Sequence, residues 1–331
     1  MATLNERLWK CVREALPKSG KLCVWLLKII LPISLAVNLL QHYGAIDYVA
    51  SWLHPLFHFI GLPGATAIVF ITSIFLPLYA SIAVMMSLDV TVREATILAL
   101  MCLLAHNLPV ECAVTRKTGS SFWGMFGMRI IMAFVVAVFL NTLLPLDYGN
   151  TPFAHTHIAA ADTETLRGMF MAWLYASGTL IVTILLIVTG LMVLQRVLVE
   201  FQWIDAISRP LRPLMRLFGL PDNAPFLWIV GNVVGLAYGG AVMADMVDEG
   251  KLSLQDSNVV NYHLSISHSL LEDTMLFVAL GINLWIIVGT RLLFAMIVVW
   301  GRRFLLSLFP LIDSSHAKSA SNPHSSAHSH T

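Results

Sequence analysis

The chain has 331 residues, of which 57% are apolar and 12% charged, with a formal net charge of +1 and a mean hydropathy of +0.77. A soluble domain carries about 45–50% apolar residues, so this composition assigns the chain to the membrane and excludes an ordinary soluble enzyme. The 20 basic and 19 acidic residues nearly balance, and the basic ones flank apolar runs instead of gathering on one soluble face, which excludes a nucleic-acid partner.

Residues 1–22 set Arg7, Lys10, Arg13, Lys18 and Lys21 among Leu8, Trp9, Val12 and Leu16, a pattern that predicts a cytoplasmic amphipathic segment on the membrane surface. A cleaved signal peptide is not expected, since the basic region is long and no small-residue cleavage site follows the first apolar run. Runs long enough to cross a hydrocarbon core of about 30 Å lie at 23–43, 124–145, 169–194 and 284–301, with less uniform runs at 63–87, 94–114 and 258–280. They are helical candidates, because a barrel would alternate over segments of about ten residues. The membrane part divides into 23–147 and 169–309, joined by an external polar connection at 148–168 that holds His155 and His157. Residues 310–331 read as a disordered cytoplasmic tail, with weak metal capture at most by His316, His324, His328 and His330. Cys11, Cys23, Cys102 and Cys112 show no CxxC spacing and are expected to be reduced.

The two membrane parts repeat one another. Ile46-Asp47, Leu53, Pro55-Leu56 and Gly61-Leu62-Pro63 return 158 positions later as Ile204-Asp205, Leu211, Pro213-Leu214 and Gly219-Leu220-Pro221. Tyr79 answers Tyr238, His106 with Glu111 answers His268 with Asp273, and Arg129 answers Arg291. Eight full crossings would place Arg196, Arg209, Arg212 and Arg216 outside, against the positive-inside rule. If residues 63–87 and 223–247 are re-entrant hairpins, those arginines, Arg116, Lys117 and Arg302-Arg303 all fall inside. Each repeat then has three crossings, and the second copy is inverted relative to the first. Pro77 in one stretch and Gly235, Gly239 and Gly240 in the other supply breakers for the hairpin tips. Residues 46–60 and 204–218 read as interfacial helices divided by Pro55 and Pro213. The expected fold is therefore an all-α polytopic membrane protein of two inverted repeats, each with three spanning helices, an interfacial helix and a re-entrant hairpin.

The run after each hairpin holds the costliest side chains. It reads Ala105-His106-Asn107-Leu108-Pro109-Val110-Glu111 in one copy and Ser267-His268-Ser269-Leu270-Leu271-Glu272-Asp273-Thr274 in the other. Ionisable groups inside a bilayer cost at least about 2.5–3.5 kcal/mol each, so they read as functional; hydrogen bonds that merely lock helices together are the competing explanation. Pro109 predicts a kink near Ala105 that frees a carbonyl, whereas an intact second helix would set His268 and Glu272 on one face. Arg129 and Arg291 read as interfacial side chains that snorkel. Asp245, Asp248, Glu249 and Asp256 form a solvated acidic connection, from which Asp245 alone is placed to reach the site.

These paired units, with Gly-Leu-Pro, a small-residue stretch ending near Tyr79 or Tyr238, and the His106–Glu111 and His268–Asp273 motifs, resemble the nucleoside recognition or "gate" domain family of bacterial membrane proteins over residues 24–305. The resemblance implies kinship with concentrative nucleoside transporters, with the membrane part of ferrous-iron permeases and with spore maturation proteins, which handle different cargo. The expected function is secondary transport of a small polar solute, a nucleoside among the candidates, across the bacterial inner membrane, with both termini cytoplasmic. Tyr79, Ser81, Asn107, Tyr238, Ser269 and Thr274 are the candidate solute-binding residues; His106, Glu111, His268, Glu272 and Asp273 are the candidate sites for a coupling proton, sodium ion or divalent metal ion. No other cofactor is expected, and the partners are lipid, the solute or ion, and further copies of the chain in a homo-oligomer. A divalent metal permease and a non-transporting scaffold are the alternatives. No P-loop, HExxH or GxSxG occurs, so neither ATP hydrolysis nor enzymatic activity is expected.

Overall fold

The computed structural model describes residues 3–149, 151–153 and 165–308, and among them there is no strand, only an isolated bridge between Thr91 and Pro152. The first half holds α1 (Leu4–His42), α2 (Ala45–Phe59), α3 (Ala67–Phe75), α4 (Leu78–Met85), α5 (Val92–Ala105), α6 (Leu108–Lys117) and α7 (Phe122–Leu143). The second holds α8 (Leu166–Glu200), α9 (Trp203–Ser208), α10 (Arg212–Leu217), α11 (Pro225–Val233), α12 (Leu236–Asp248), α13 (Leu254–Ser267), α14 (Leu270–Ala279) and α15 (Leu284–Leu308). Four of the described helical stretches are long and apolar enough to cross a bilayer: α5 with α6, α7, α8 and α15. Trp123, Leu186, Trp285 and Phe304 stand outward on α7, α8 and α15, more than half exposed, as suits helices whose outer faces meet lipid. The chain is an all-helical membrane protein. The expected tail and the connection's two histidines lie outside the described residues.

The long helix α1 runs without a break through the border of the polar and apolar N-terminal segments, in spite of Pro17 and Pro32. It lies along α8, where Trp173 Nε1 donates to Ser34 Oγ at 2.9 Å and Arg7 Nε donates to Glu200 Oε1 at 3.1 Å. Cys11, Cys23, Cys102 and Cys112 are buried free thiols.

The sequence repeat is written again in the hydrogen bonds. Helix α2 ends where Gly61, at φ 76°, lets Leu62 N–H reach Phe57 O at 2.9 Å; α10 is followed by Gly219, at φ 72°, and Leu220 N–H reaches Met215 O at 2.8 Å. Both are glycine-closed helix ends that satisfy two terminal carbonyls, and the proline that follows each prevents continuation. Helices α3 and α11 have nine residues each, α5 and α13 fourteen, α6 and α14 ten. Helices α5 and α13 also start alike: Thr91 Oγ1 accepts from Glu94 N–H at 3.2 Å, and Ser253 Oγ accepts from Asp256 N–H at 3.0 Å.

Both expected hairpin stretches consist of two short helices packed on one another, broken at Leu76-Pro77 and at Val234-Gly235. A nine-residue arm rises about 14 Å, roughly half the hydrocarbon core. Pro55 and Pro213 do not act alike. Pro55 lies inside the continuous α2, whereas Pro213 sits in the first turn of α10, after the 3-10 turn Arg209–Leu211. A proline in a first turn loses no hydrogen bond, so it opens α10 instead of dividing it.

Candidate functional site

Helices α5 and α13 stop at the same point of the repeat. His106 is extended at φ −80°, ψ 153°, and Asn107 then takes the left-handed region at φ 48°, ψ 34°; His268 and Ser269 repeat this at φ −56°, ψ 160° and φ 50°, ψ 32°. Pro109 is not the cause of the break. It occupies the first turn of α6, and the second copy breaks identically with Leu271 in that place. A left-handed residue reverses the local winding and ends a helix whatever follows, so the expected intact second helix is not found. Each break is pinned to its hairpin: Asn107 N–H donates to Ser73 O at 2.8 Å, and Ser269 N–H donates to Gly231 O at 3.0 Å.

The broken ends free carbonyls in the protein interior, and arginine takes them. Arg129 on α7 donates from Nε to Leu104 O at 2.6 Å and from Nη2 to His106 O at 3.3 Å; its Nη1 pairs with Glu111. Arg291 on α15 donates from Nε to Ile266 O at 3.0 Å and from Nη2 to His268 O. With 1% and 0% exposure, neither guanidinium snorkels. Five N–H donors in a fixed plane suit several acceptors at once, which is why arginine serves here and lysine would not. The sequence signal was present: both positions repeat with the same offset as the histidines. An arginine near the end of an apolar run nonetheless reads first as interfacial.

At the centre the two copies exchange partners. His106 Nε2 lies 3.2 Å from Glu111 Oε1 and 3.9 Å from Asp273 Oδ2; His268 Nε2 lies 3.3 Å from Glu111 Oε2; the two Nε2 atoms are 3.4 Å apart. Each Nδ1 faces backbone carbonyl oxygen, His106 towards Cys102 O at 3.1 Å and His268 towards Leu264 O at 2.8 Å. A carbonyl only accepts, so each Nδ1 carries its hydrogen and each Nε2 of a neutral ring presents a lone pair to the other. Asp273 sits 4.0 Å from Arg291 Nη2, and its Oδ2 has no hydrogen-bond partner.

Of the expected site residues, His106, Glu111, His268 and Asp273 meet in this cluster. Glu272 does not share a face with His268; the break turns it away, and it accepts from Tyr79 Oη at 2.6 Å. Tyr79 lines a cleft with Ile82, Thr183, Ile184, Leu276 and Leu280. Ser81 and Thr274 are buried, and their hydroxyls have no partner. Asn107 and Ser269 act through their backbone at the breaks. Tyr238 is 54% exposed and stands apart from the cluster, and Asp245 is exposed on α12.

A family model described as nucleoside recognition, Gate, matches residues 23–139. An uncharacterized membrane protein, YvoD of Bacillus subtilis strain 168, is 32% identical over 268 residues, covering 81% of this chain and 86% of its own length. The chain belongs to the nucleoside recognition (Gate) family. No solved structure matches it. The Gate model covers the helix break at His106-Asn107 together with Glu111 and Arg129; their partners His268, Asp273 and Arg291 come from the other half of the chain.

The sequence reading also missed a polar seam. Ser257 Oγ on α13 donates to Thr118 O at 2.6 Å, and Asn261 Nδ2 donates to Thr118 Oγ1 at 2.8 Å and Ser120 Oγ at 2.9 Å. Their four-residue spacing continues to Ser265, which is buried, one turn short of His268-Ser269. The visible signal was the polar content of 257–267, unusual for a run flanked by lipid-facing helices.

Proposed function

We propose that the protein is a secondary transporter of a small polar solute, built as two inverted repeats that alternately open the buried cluster to either side of the bacterial inner membrane, with both termini cytoplasmic. The observation that carries this reading is the reciprocal cluster itself: two helices broken at corresponding positions bring His106, Glu111, His268 and Asp273 together, each copy reaching into the other. Paired broken helices around a polar centre are the usual make of such sites, where half-helix ends and freed backbone hold substrate and coupling cation. Tyr79, bridged to Glu272 beside the cleft, is the solute-facing group; the acceptor-rich centre holds the coupling cation. Tyr79 offers an aromatic face for a nucleoside base to stack on, and the buried hydroxyls of Ser81 and Thr274 have hydrogen-bonding capacity to spare.

A second reading, a divalent metal permease, is favoured by one observation: ligand atoms of His106, His268 and Asp273 all lie within 4.8 Å of one another. Thermal unfolding of the purified protein against nucleosides, nucleobases and divalent metals, followed by uptake into proteoliposomes, separates the readings. Stabilisation and uptake of a nucleoside, weakened about tenfold by Tyr79→Phe and untouched by Tyr238→Phe, is the expected result. Uptake of metal alone, lost in both His106→Ala and His268→Ala, would replace it with the permease. No ligand and no uptake, with Glu111→Gln and Glu272→Gln silent in cells, would leave a scaffold.

A further inference from the structure

The centre of the cluster has too many acceptors. Both imidazole Nε2 atoms, both Glu111 oxygens and Asp273 Oδ2 converge there, while the Nδ1 hydrogens point away to Cys102 O and Leu264 O. Lone pairs facing each other at 3.4 Å repel unless a proton or a metal cation lies between them.

We infer that His106, His268 and Asp273 form a binding site for one divalent first-row metal ion of the zinc class. Two nitrogens bound at about 2.0–2.1 Å to a tetrahedral ion lie about 3.3–3.4 Å apart, and the Nε2 atoms are separated by 3.4 Å. A hydrogen bond from each Nδ1 to a carbonyl is the support that fixes metal-binding histidines in the correct tautomer. Asp273 supplies the third ligand. Its Oδ2 is buried, unpartnered and 3.9 Å from His106 Nε2, about half an ångström beyond a tetrahedral edge. Glu111 is held instead by Arg129, so it stays beside the ion as a fixed charge, and the donor set of nitrogen and oxygen without thiolate suits zinc, cobalt, iron or manganese.

The site rests on the cluster's geometry and not on transport, so binding and flux are measured separately. The full chain, without a histidine tag and with His316, His324, His328 and His330 replaced by alanine, is titrated in detergent with Co2+ and Zn2+. One ion per chain is expected, with the strong visible absorption of four-coordinate Co2+, displaced by Zn2+. Asp273→Asn, close in shape to the original, should weaken binding more than about tenfold, and His106→Ala with His268→Ala should abolish it, while Glu272→Gln leaves it unchanged. Metal-free thermal unfolding of each variant reports whether it is folded. Absence of saturable binding in the parent, or binding indifferent to the two histidines, would overturn the site. Binding without proteoliposome flux would keep the metal site and remove the transporter.

Discussion

Helices α5 and α13 occupy the same place in the two copies, have the same length and end in the same break, yet they are made of different material. Helix α5 places Ala95, Ala99, Met101, Leu103 and Ala105 where α13 places Ser257, Asn261, His263, Ser265 and Ser267. All ten are buried. The apolar helix is held by close packing, which is non-directional, whereas the polar one is tied to Thr118 and Ser120 of the other copy by bonds that must be broken one at a time. What duplication kept is the backbone break and its charged centre; what diverged is the seal between that centre and one end of the molecule. The polar row along α13 has no counterpart on α5, so the approaches to the centre are unequal.

The sharpest way to break the comparison is to remove the arginines. Arg129→Ala strands Glu111 and two carbonyls in the interior and should cost about 3–5 kcal/mol, read as a loss of folded protein or a large drop in unfolding temperature in detergent. Arg291→Ala should cost less, because Asp273 lies 4.0 Å away and is not hydrogen-bonded to it. Equal effects would mean that the two copies carry the same load and that the asymmetry is confined to α13. A smaller effect tests the seam: Asn261→Leu should cost about 1–3 kcal/mol through the groups left unpaired at Thr118 and Ser120, and changing α13 at Val260 to alanine should not loosen the seam. The smallest concerns the breaks. Ser269→Gly should raise stability by up to about 1 kcal/mol by relieving a left-handed residue, and Asn107→Gly by less, since asparagine tolerates that region; matching thermal shifts would show that the two breaks are equally strained.

Much of the layout was legible because it follows from simple periodicities. Apolar run length marked α7, α8 and α15, and breakers marked the interruptions at Pro77 and Gly235. The offset that pairs His106 with His268 marked the centre. What escaped did so for physical reasons. A left-handed turn at Asn107 and Ser269 leaves no composition signal, so Pro109 took the blame for a break it only follows, and Glu272 was placed on a face that the break had already rotated away. Arg129 and Arg291 were misplaced because a buried guanidinium is favourable only when freed carbonyls surround it, and those carbonyls exist only once the break is known. Tyr238 was paired with Tyr79, but counted from the breaks at Pro77 and Gly235 it lies one position further along its helix, which turns it to another face.

The backbone bonds that join each break to its hairpin carry a mechanical consequence. Asn107 is stitched to Ser73, and Ser269 to Gly231, through main-chain atoms that every residue type except proline possesses. Of all replacements only proline at 107 or 269 cuts these stitches, and pulling them apart strands an amide at about 1–3 kcal/mol. Hairpin and broken helix are therefore joined as one unit in each half. The contact between the two units where His106 meets His268 is made by side chains alone.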